Sequence, residues 1–501
     1  MQVVTKKSAK ASSKAELYRK LPAVDDLLQR AEFTALIARE GLAPVTDAAR
    51  SVLACLRSEI AGRRLDASGL EIALAGLPVA VERELSAELG FSLRPLINAT
   101  GVILHTNLGR APLAGSAVDH IRKTAASYSN LEYDLNSASR IRREAHVDRL
   151  FASLLRTGGP FKRGFRLSEA VGGGSSRDER QSPGISTIVV NNNAAALLLA
   201  VNTLAEGGEV LVSRGELIEI GESFRLPDIL SKSGAIMREV GTTNRTRLAD
   251  YESAINSRTR LLLQVHRSNF QITGFTERPA LRELASLAHS RNLPLMQDLG
   301  SGALLNLDSF GLEREPSVLD GLRAGADVVA YSGDKLMGGP QSGMLSGHAD
   351  LIASMRPNPL FRALRPDKLT YAALEATLLA YVRKDYDAIP TLRLLRASEK
   401  EIAGRAEALA LKTRSDLLQV ELIEGESVIG GGAAPSGRLR TRLLALACRN
   451  LSAEEISARL RASDPPVLGR VEQGRVLLDL RTVFPEQDDV LARLLAQFAS
   501  S

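Results

Sequence analysis

The segment Tyr331-Ser-Gly-Asp-Lys-Leu-Met-Gly-Gly-Pro-Gln-Ser-Gly343 carries the residues best suited to chemistry. Lys335 follows an apolar run at 327–330, and Gly338, Gly339 and Gly343 allow tight backbone paths around it. A lysine so placed either clamps a phosphate or forms a Schiff base. The P-loop order Gly-x-x-x-x-Gly-Lys-Ser/Thr is absent, which counts against the first use. An ordinary exposed loop lysine is the plain alternative. Two further segments shift the balance. Asp298, in Met296-Gln-Asp-Leu-Gly-Ser-Gly302, ends the preceding strand candidate, where a carboxylate can hydrogen-bond a protonated pyridine nitrogen and turn the ring into an electron sink. Asn191-Asn-Asn-Ala-Ala-Ala196 follows another strand candidate and opens a helical stretch, so Asn192, Asn193 and Ala194 offer amide donors and a helix N-terminus to a cofactor phosphate. Ser332, three residues before the lysine, is a further phosphate donor. Singly, Asp298 reads as a turn former and the asparagines as a helix cap. Together and in this order, the three elements point to a pyridoxal-phosphate enzyme of fold-type I.

Such a site needs a sheet to hold it. Short apolar, β-branched runs at 187–190, 209–213, 235–240, 260–265, 293–297 and 327–331 alternate with helical patterns such as 282–291. Alternation of this kind predicts a mostly parallel sheet covered by helices, with ligands at the carboxyl ends of the strands. The motifs above fall at those ends. The predicted architecture is therefore α/β, with three parts. Residues 1–90 form a small helical N-terminal domain, with apolar stripes at Leu27, Leu28, Ala31, Leu36 and Ile37 and again at Val52, Leu53, Leu56 and Ile60. Residues 91–385 form the large cofactor-binding domain. Residues 386–501 form a smaller α/β domain, with strands near 417–423 and 476–480 and helices near 398–411, 453–462 and 487–498. A glycine-, serine- and charge-rich insertion at about 158–184 is expected to be an exposed, disordered loop.

Composition bounds the remaining possibilities. The chain has 501 residues, 44% of them hydrophobic, without an apolar run long enough to span a bilayer or a secretory h-region after the basic start. Its two cysteines, Cys55 and Cys448, stand far apart, so neither a zinc site nor a disulfide framework is indicated; buried thiols in a reducing cytoplasm are expected. No metal is implied. A net charge of +6 permits a polyanionic partner without requiring one.

The longer motifs resemble those of bacterial selenocysteine synthase, L-seryl-tRNA(Sec) selenium transferase. They are Asn98-Ala-Thr-Gly-Val-Ile-Leu-His-Thr-Asn-Leu-Gly-Arg-Ala111, Tyr128-Ser-Asn-Leu-Glu-Tyr-Asp134, Val212-Ser-Arg-Gly-Glu-Leu-Ile-Glu-Ile-Gly221, Val240-Gly-Thr-Thr-Asn-Arg-Thr246, Ser332-Gly-Asp-Lys335, Asp367-Lys-Leu-Thr370 and Asp479-Leu-Arg-Thr482. They run collinearly from about residue 15 to the C-terminus. The resemblance implies a fold-type I transferase that converts seryl-tRNA(Sec) to selenocysteinyl-tRNA(Sec), losing the serine hydroxyl through a cofactor-bound aminoacrylyl intermediate and adding selenium from selenophosphate. It implies Lys335 and Asp334 as catalytic residues, and Asp298, Ser332, Asn192, Asn193, Ala194 and His266 around the cofactor. It implies Arg110, Arg143, Arg362 and Arg365 as anion-binding residues, since the planar guanidinium binds phosphate oxygens in pairs. It further implies tRNA recognition by the N-terminal domain and a homo-oligomeric ring, a decamer. One stretch departs from the family pattern: where Gly-x-Arg-Gly-x-Arg is usual, this chain has Ala138-Ser-Arg-Ile-Arg-Arg143. If the two glycines serve a positive φ, Ile141 above all resists it. The competing readings are another fold-type I enzyme acting on a free amino acid, which leaves the N-terminal domain without a use, and a non-catalytic tRNA-binding protein, which leaves Lys335 and Asp298 without one.

Overall fold

The computed structural model describes residues 14–156, 184–221, 224–312, 315–435 and 437–499; the insertion at 158–184 lies outside them except for Gly184. The chain divides into two compact units, Met1–Pro95 and Leu96–Ser501.

The first unit is helical: α1 (Lys14–Lys20), α2 (Val24–Leu28), α3 (Ala31–Glu40), α4 (Leu42–Ala61), α5 (Ala67–Ala75) and α6 (Leu77–Leu89). Leu27, Phe33, Leu36, Val45, Leu53, Leu77, Val81 and Leu85 form its core. The expected stripe holds at Leu27, Leu36, Leu53 and Ile60, but Ala31 is exposed and Phe33 takes the inward place.

The second unit is built on a seven-stranded sheet. Its strands are β1 (Ile185–Val190), β2 (Glu209–Ser213), β3 (Ile236–Val240), β4 (Thr259–Val265), β5 (Leu295–Gly300), β6 (Val328–Ser332) and β7 (Gly343–His348). Their order is β1-β7-β6-β5-β4-β2-β3. Helices on both faces bury the sheet, which is why its central strands are continuous apolar runs rather than alternating ones. All pairings are parallel except those of β7, which runs against both β6 and β1. The reversal follows from length. Only residues 333–342 join β6 to β7, too few for the crossover that a parallel strand needs. Sequence periodicity misses β7 because Gly-Met-Leu-Ser-Gly-His has weak strand propensity. Its glycines answer a packing need: a Cβ on Gly343 would lie 2.0 Å from the Asn192 carbonyl oxygen.

A second, antiparallel sheet, β8 (Leu418–Val428), β9 (Arg438–Cys448), β10 (Arg470–Glu472) and β11 (Arg475–Asp479), has order β8-β9-β11-β10. Helices Glu399–Thr413, Ala453–Ala462 and Asp488–Ala496 cover one face. Buried Asp479 ties this sheet to the chain's opening motif. Its carboxylate accepts from Ser427 Oγ (2.6 Å) and Thr441 Oγ1 (2.8 Å), and its N–H donates to the Ala99 carbonyl (2.9 Å). Gly101, at φ +76°, must be glycine here, because a Cβ would come within 2.4 Å of the Asp479 carboxylate. Cys448 lies half-buried at the end of β9 and Cys55 is exposed on α4, so the expected buried thiols are not found.

The departure at 138–143 is resolved simply. Tyr133–Asp134 and Ser139–Arg140 form a small antiparallel ladder, and Ala138 closes its turn at φ +51°. Ile141 is not among the positive-φ residues, so only Ala138 bears strain. Ala138→Gly should therefore stabilise the protein, by about 1 kcal/mol; denaturant unfolding checks this, and an unchanged or lowered midpoint contradicts it.

Candidate active site

Lys335 is reached from the carboxyl end of β6 through a tight turn. Gly338 N–H donates to the Lys335 carbonyl (2.9 Å), Gly339 N–H to the Gly333 carbonyl (2.8 Å), and Leu336 N–H to the Ser301 carbonyl (3.0 Å). These bonds fold the lysine inward, leaving it 7% exposed. Gly432, at φ +78°, walls the side chain so closely that a Cβ there would stand 2.9 Å from Nζ. Burial, and next the Arg110 guanidinium, hold the Lys335 ammonium below the usual lysine range, against the opposing pull of Asp298, Asp334 and Glu315.

Asp298 is in register with Ala330 of β6 and Val265 of β4, at the sheet's centre. Asn193 Nδ2 donates to its carboxylate (2.8 Å), and His266 N–H donates to its carbonyl (2.8 Å). Burial pushes its carboxyl up to about 6, with the Asn193 hydrogen bond and the Lys335 charge pulling the other way. Asn192 caps α7 (Asn193–Ala205), accepting from the Ala195 N–H (2.9 Å). The N–H groups of Asn193 and Ala194 precede it, in the turn that a helix leaves without carbonyl partners. Thus Asn193 joins two tasks: its backbone opens the helix while its side chain orients Asp298. Ser332 is buried at the end of β6. His266 is mostly buried, and burial followed by the nearby Arg278 charge pushes it down to about 4, so it is neutral at physiological pH.

Asn193 Oδ1, His266 Nδ1, Ser301 Oγ and Glu315 Oε1 are buried with no hydrogen-bond partner among the described residues. Unmatched buried polar atoms are costly, and their grouping around Asp298 and Lys335 marks room for a polar ligand. A buried lysine for a carbonyl, a carboxylate for a pyridinium and a helix start for a phosphate together fit pyridoxal phosphate. Among the described residues, no group of three or more His, Cys, Asp or Glu could hold a metal ion.

The expected anion-binding arginines divide into two places. Arg110, at φ +62°, pairs with the carboxylate of Asp334, while Ala111 N–H donates to the Asp334 carbonyl (3.3 Å). A non-glycine residue held in that conformation signals a geometry fixed by its partner. Arg143, Arg362 and Arg365 instead line a cavity of about 480 Å³, with Arg140, Arg142, Arg356 and Glu132. Glu132, which spacing did not single out, is its hub: Arg143 Nε donates to it at 2.8 Å, Arg140 at 2.8 Å and Arg365 at 3.2 Å. Hydrogen bonds from Arg143 and then Arg140 hold its carboxyl below the usual range. The Asn191 N–H donates to the Leu364 carbonyl (2.9 Å), so the helix bearing Arg362 adjoins the phosphate-side segment. Glu315 was also missed. One glutamate among 58 acidic residues gives no signal until the fold buries it with Oε2 3.8 Å from His266 Nε2.

The sequence profile of L-seryl-tRNA selenium transferases matches residues 96–159 and 183–484, and that of the selenocysteine synthase N-terminal region matches 18–57. The chain belongs to the L-seryl-tRNA selenium transferase family. An L-seryl-tRNA(Sec) selenium transferase of Geobacter metallireducens is 43% identical over 490 residues, covering 97% of this chain and 99% of the relative. One from Aquifex aeolicus is 43% identical over 460 residues, covering 91% and 94%. Among solved structures, D-glucosaminate-6-phosphate ammonia-lyase shares the fold, with a TM-score of 0.54 at 20% identity, over 83% of this chain and 98% of that one. This selenium transferase is thus a fold-type I enzyme, and its cofactor is pyridoxal phosphate.

The buried Asp298 has a measurable cost. Its folded-state pKa lies above the unfolded value of 3.8, so stability falls as pH rises from there to about 6 and stays reduced above. In the cofactor-free protein, Asp298→Asn should raise unfolding stability by on the order of 2 kcal/mol at pH 8 and by less at pH 4.5. Equal gains at both pH values, or a loss at pH 8, would refute the assignment.

Proposed function

We propose that this selenium transferase converts seryl-tRNA(Sec) to selenocysteinyl-tRNA(Sec), with selenophosphate as donor. The reading rests above all on Lys335, a desolvated amine among carboxylates in a chain of this family. Replacing a β-hydroxyl by selenium requires loss of the Cα proton, departure of the hydroxyl and addition at Cβ. Pyridoxal phosphate, when bound, supplies the electron sink that delocalises the charge left at Cα. Lys335 is the residue that would hold its carbonyl carbon. Once released, Nζ is the base at hand for the Cα proton, and its lowered proton affinity suits both taking that proton and giving one to the departing hydroxyl. Asp298 is the carboxylate that would balance charge on the ring, and His266, neutral, would add no competing cation. Asn192, Asn193, Ala194 and Ser332 are the residues that would hold the cofactor's phosphate. Asp334, fixed by Arg110, stands beside the reacting lysine.

Selenophosphate is a small polyanion. The cavity of Arg143, Arg362 and Arg365 is suited to it, with Glu132 orienting the guanidinium groups of Arg143 and Arg365. The helical unit is proposed to recognise the tRNA, and the active form to be a homo-oligomer, a decamer, in the cytoplasm. Among the described residues no helix is long and apolar enough to cross a membrane.

Purified protein should form selenocysteinyl-tRNA from seryl-tRNA(Sec) and selenophosphate, and Lys335→Ala should form none. Product from the variant, or turnover of free serine in place of the tRNA ester, would overturn the reading. Arg362→Ala and Arg365→Ala should each raise the KM for selenophosphate by about 10- to 100-fold, the loss of one charge-assisted hydrogen bond. The KM for seryl-tRNA should move far less; an equal rise in both would assign these arginines to the tRNA instead.

A further inference from the structure

The motif at 212–221 has no part in the site so far, yet it carries a buried carboxylate, Glu216. Strand β2 ends at Ser213, and its pairing with β4 ends at Val212 opposite Leu263. The chain then turns through Arg214–Glu216, so Val265, the last residue of β4, lies beyond that pairing. Side chains take the place of the strand. The Glu216 carboxylate, 1% exposed, accepts from the Val265 N–H at 2.8 Å. Its other oxygen pairs with Arg278 Nε at 2.8 Å, and Arg278 Nη2 donates to the Val265 carbonyl at 3.2 Å. One ion pair thus bonds both main-chain groups of one residue, as a neighbouring strand would. Val265 immediately precedes His266. Immediately after it, Arg267 Nε donates to the Gly215 carbonyl at 2.8 Å. Both chain neighbours of His266 are therefore tied to the same turn. The motif at 240–246 holds that turn close: a Cβ on Gly215 would lie 2.3 Å from the Thr243 carbonyl oxygen. His266 itself donates its N–H to the Asp298 carbonyl at 2.8 Å, and Asp298 is in register with Val265.

We propose that Glu216 and Arg278 are positioning residues of this active site: by bonding both main-chain groups of Val265 they fix the carboxyl end of β4, and so set His266 against the cofactor. The proposal rests on the reading of His266 and Lys335 as cofactor residues. Neither Glu216 nor Arg278 needs to touch the cofactor. A carboxylate leaving water is costly even when paired, and a neutral side chain would serve a single N–H. What the charged pair adds is one fixed geometry. It grips two groups of one residue at once, through charge-assisted hydrogen bonds, and any shift of the turn strands buried polar atoms. Asp298 shares in the result, because its carbonyl is bonded to the His266 N–H.

The test is a double-mutant cycle read as the affinity of cofactor-free, full-length protein for pyridoxal phosphate, followed by the absorbance that the cofactor gains on bonding to Lys335. Glu216→Ala should weaken binding by about 10-fold, the worth of one displaced hydrogen bond. In a His266→Ala background the same change should cost no more than about 2-fold, because the group it positions is gone. Equal losses in both backgrounds overturn the proposal and leave the pair a purely structural role. Wild-type affinity in Glu216→Ala, or in His266→Ala alone, overturns it as well. Glu216→Gln keeps an acceptor for the Val265 N–H, and its affinity should fall between wild type and Glu216→Ala. Should Glu216→Ala fail to fold, as judged by circular dichroism, the cycle with Glu216→Gln decides: a loss that His266→Ala abolishes supports the role, and an equal loss or none refutes it. Wild-type protein that gains no such absorbance, or Lys335→Ala protein that gains it equally, means instead that the cofactor-lysine reading has failed, whatever the cycle gives.

Discussion

An amine taken out of water is the constraint on which this structure turns. Lys335 is buried where its charged form is disfavoured, and three carboxylates, Asp298, Asp334 and Glu315, offset part of that cost while Arg110 adds to it. Each of the four is delivered by a different stretch of chain. The arrangement survives only because the sheet beneath it is rigid. β4, β5 and β6 lie side by side in parallel register, so His266, Asp298 and the Lys335 turn emerge at the same edge. A one-residue slip of β5 would turn Asp298 to the other face.

The C-terminal sheet has a share in the same site. Asp479 and Arg481 form a buried polar hub between β8, β9 and the opening motif. Arg481 donates to Ser427 Oγ (3.0 Å) and to the carbonyls of Leu394 (3.2 Å), Arg440 (2.6 Å) and Ala397. Gly101 N–H reaches Thr482 Oγ1 (3.0 Å), and Leu104 N–H reaches the Ile429 carbonyl (2.7 Å). This hub fixes the opening motif that carries Arg110 and sends the Gly430–Gly432 turn to the wall beside Lys335. A fully bonded network of this kind specifies one arrangement, since breaking any member strands buried polar groups.

Much of this was legible in the residues. The strand runs that show as β1, β2, β4 and β6 were found within two residues, because strands buried on both faces write themselves as apolar, β-branched stretches. Lys335, Asp298 and the Asn191–Asn193 segment announced themselves by position, each just past such a run. What was not legible has a common cause. β7 is glycine-rich because it must pass close to Asn192, and that pressure is invisible until the neighbours are known. Ala31 and Phe33 exchange places because helix boundaries, which periodicity locates poorly, decide which face turns inward.

The sequence by itself determined the class of chemistry, the parallel sheet that carries it and the family. Those follow from residue types, periodicity and order along the chain, which are local properties. Tertiary structure alone decided the partnerships. It placed Asn193 on Asp298, gathered Arg143 and Arg365 onto Glu132 while keeping Arg110 for Asp334, and brought Glu315 beside His266. Such pairings join residues tens to hundreds of positions apart. They exist because a carboxylate or amine leaving water must find its partner in the folded interior, and no spacing rule along the chain records which one it meets.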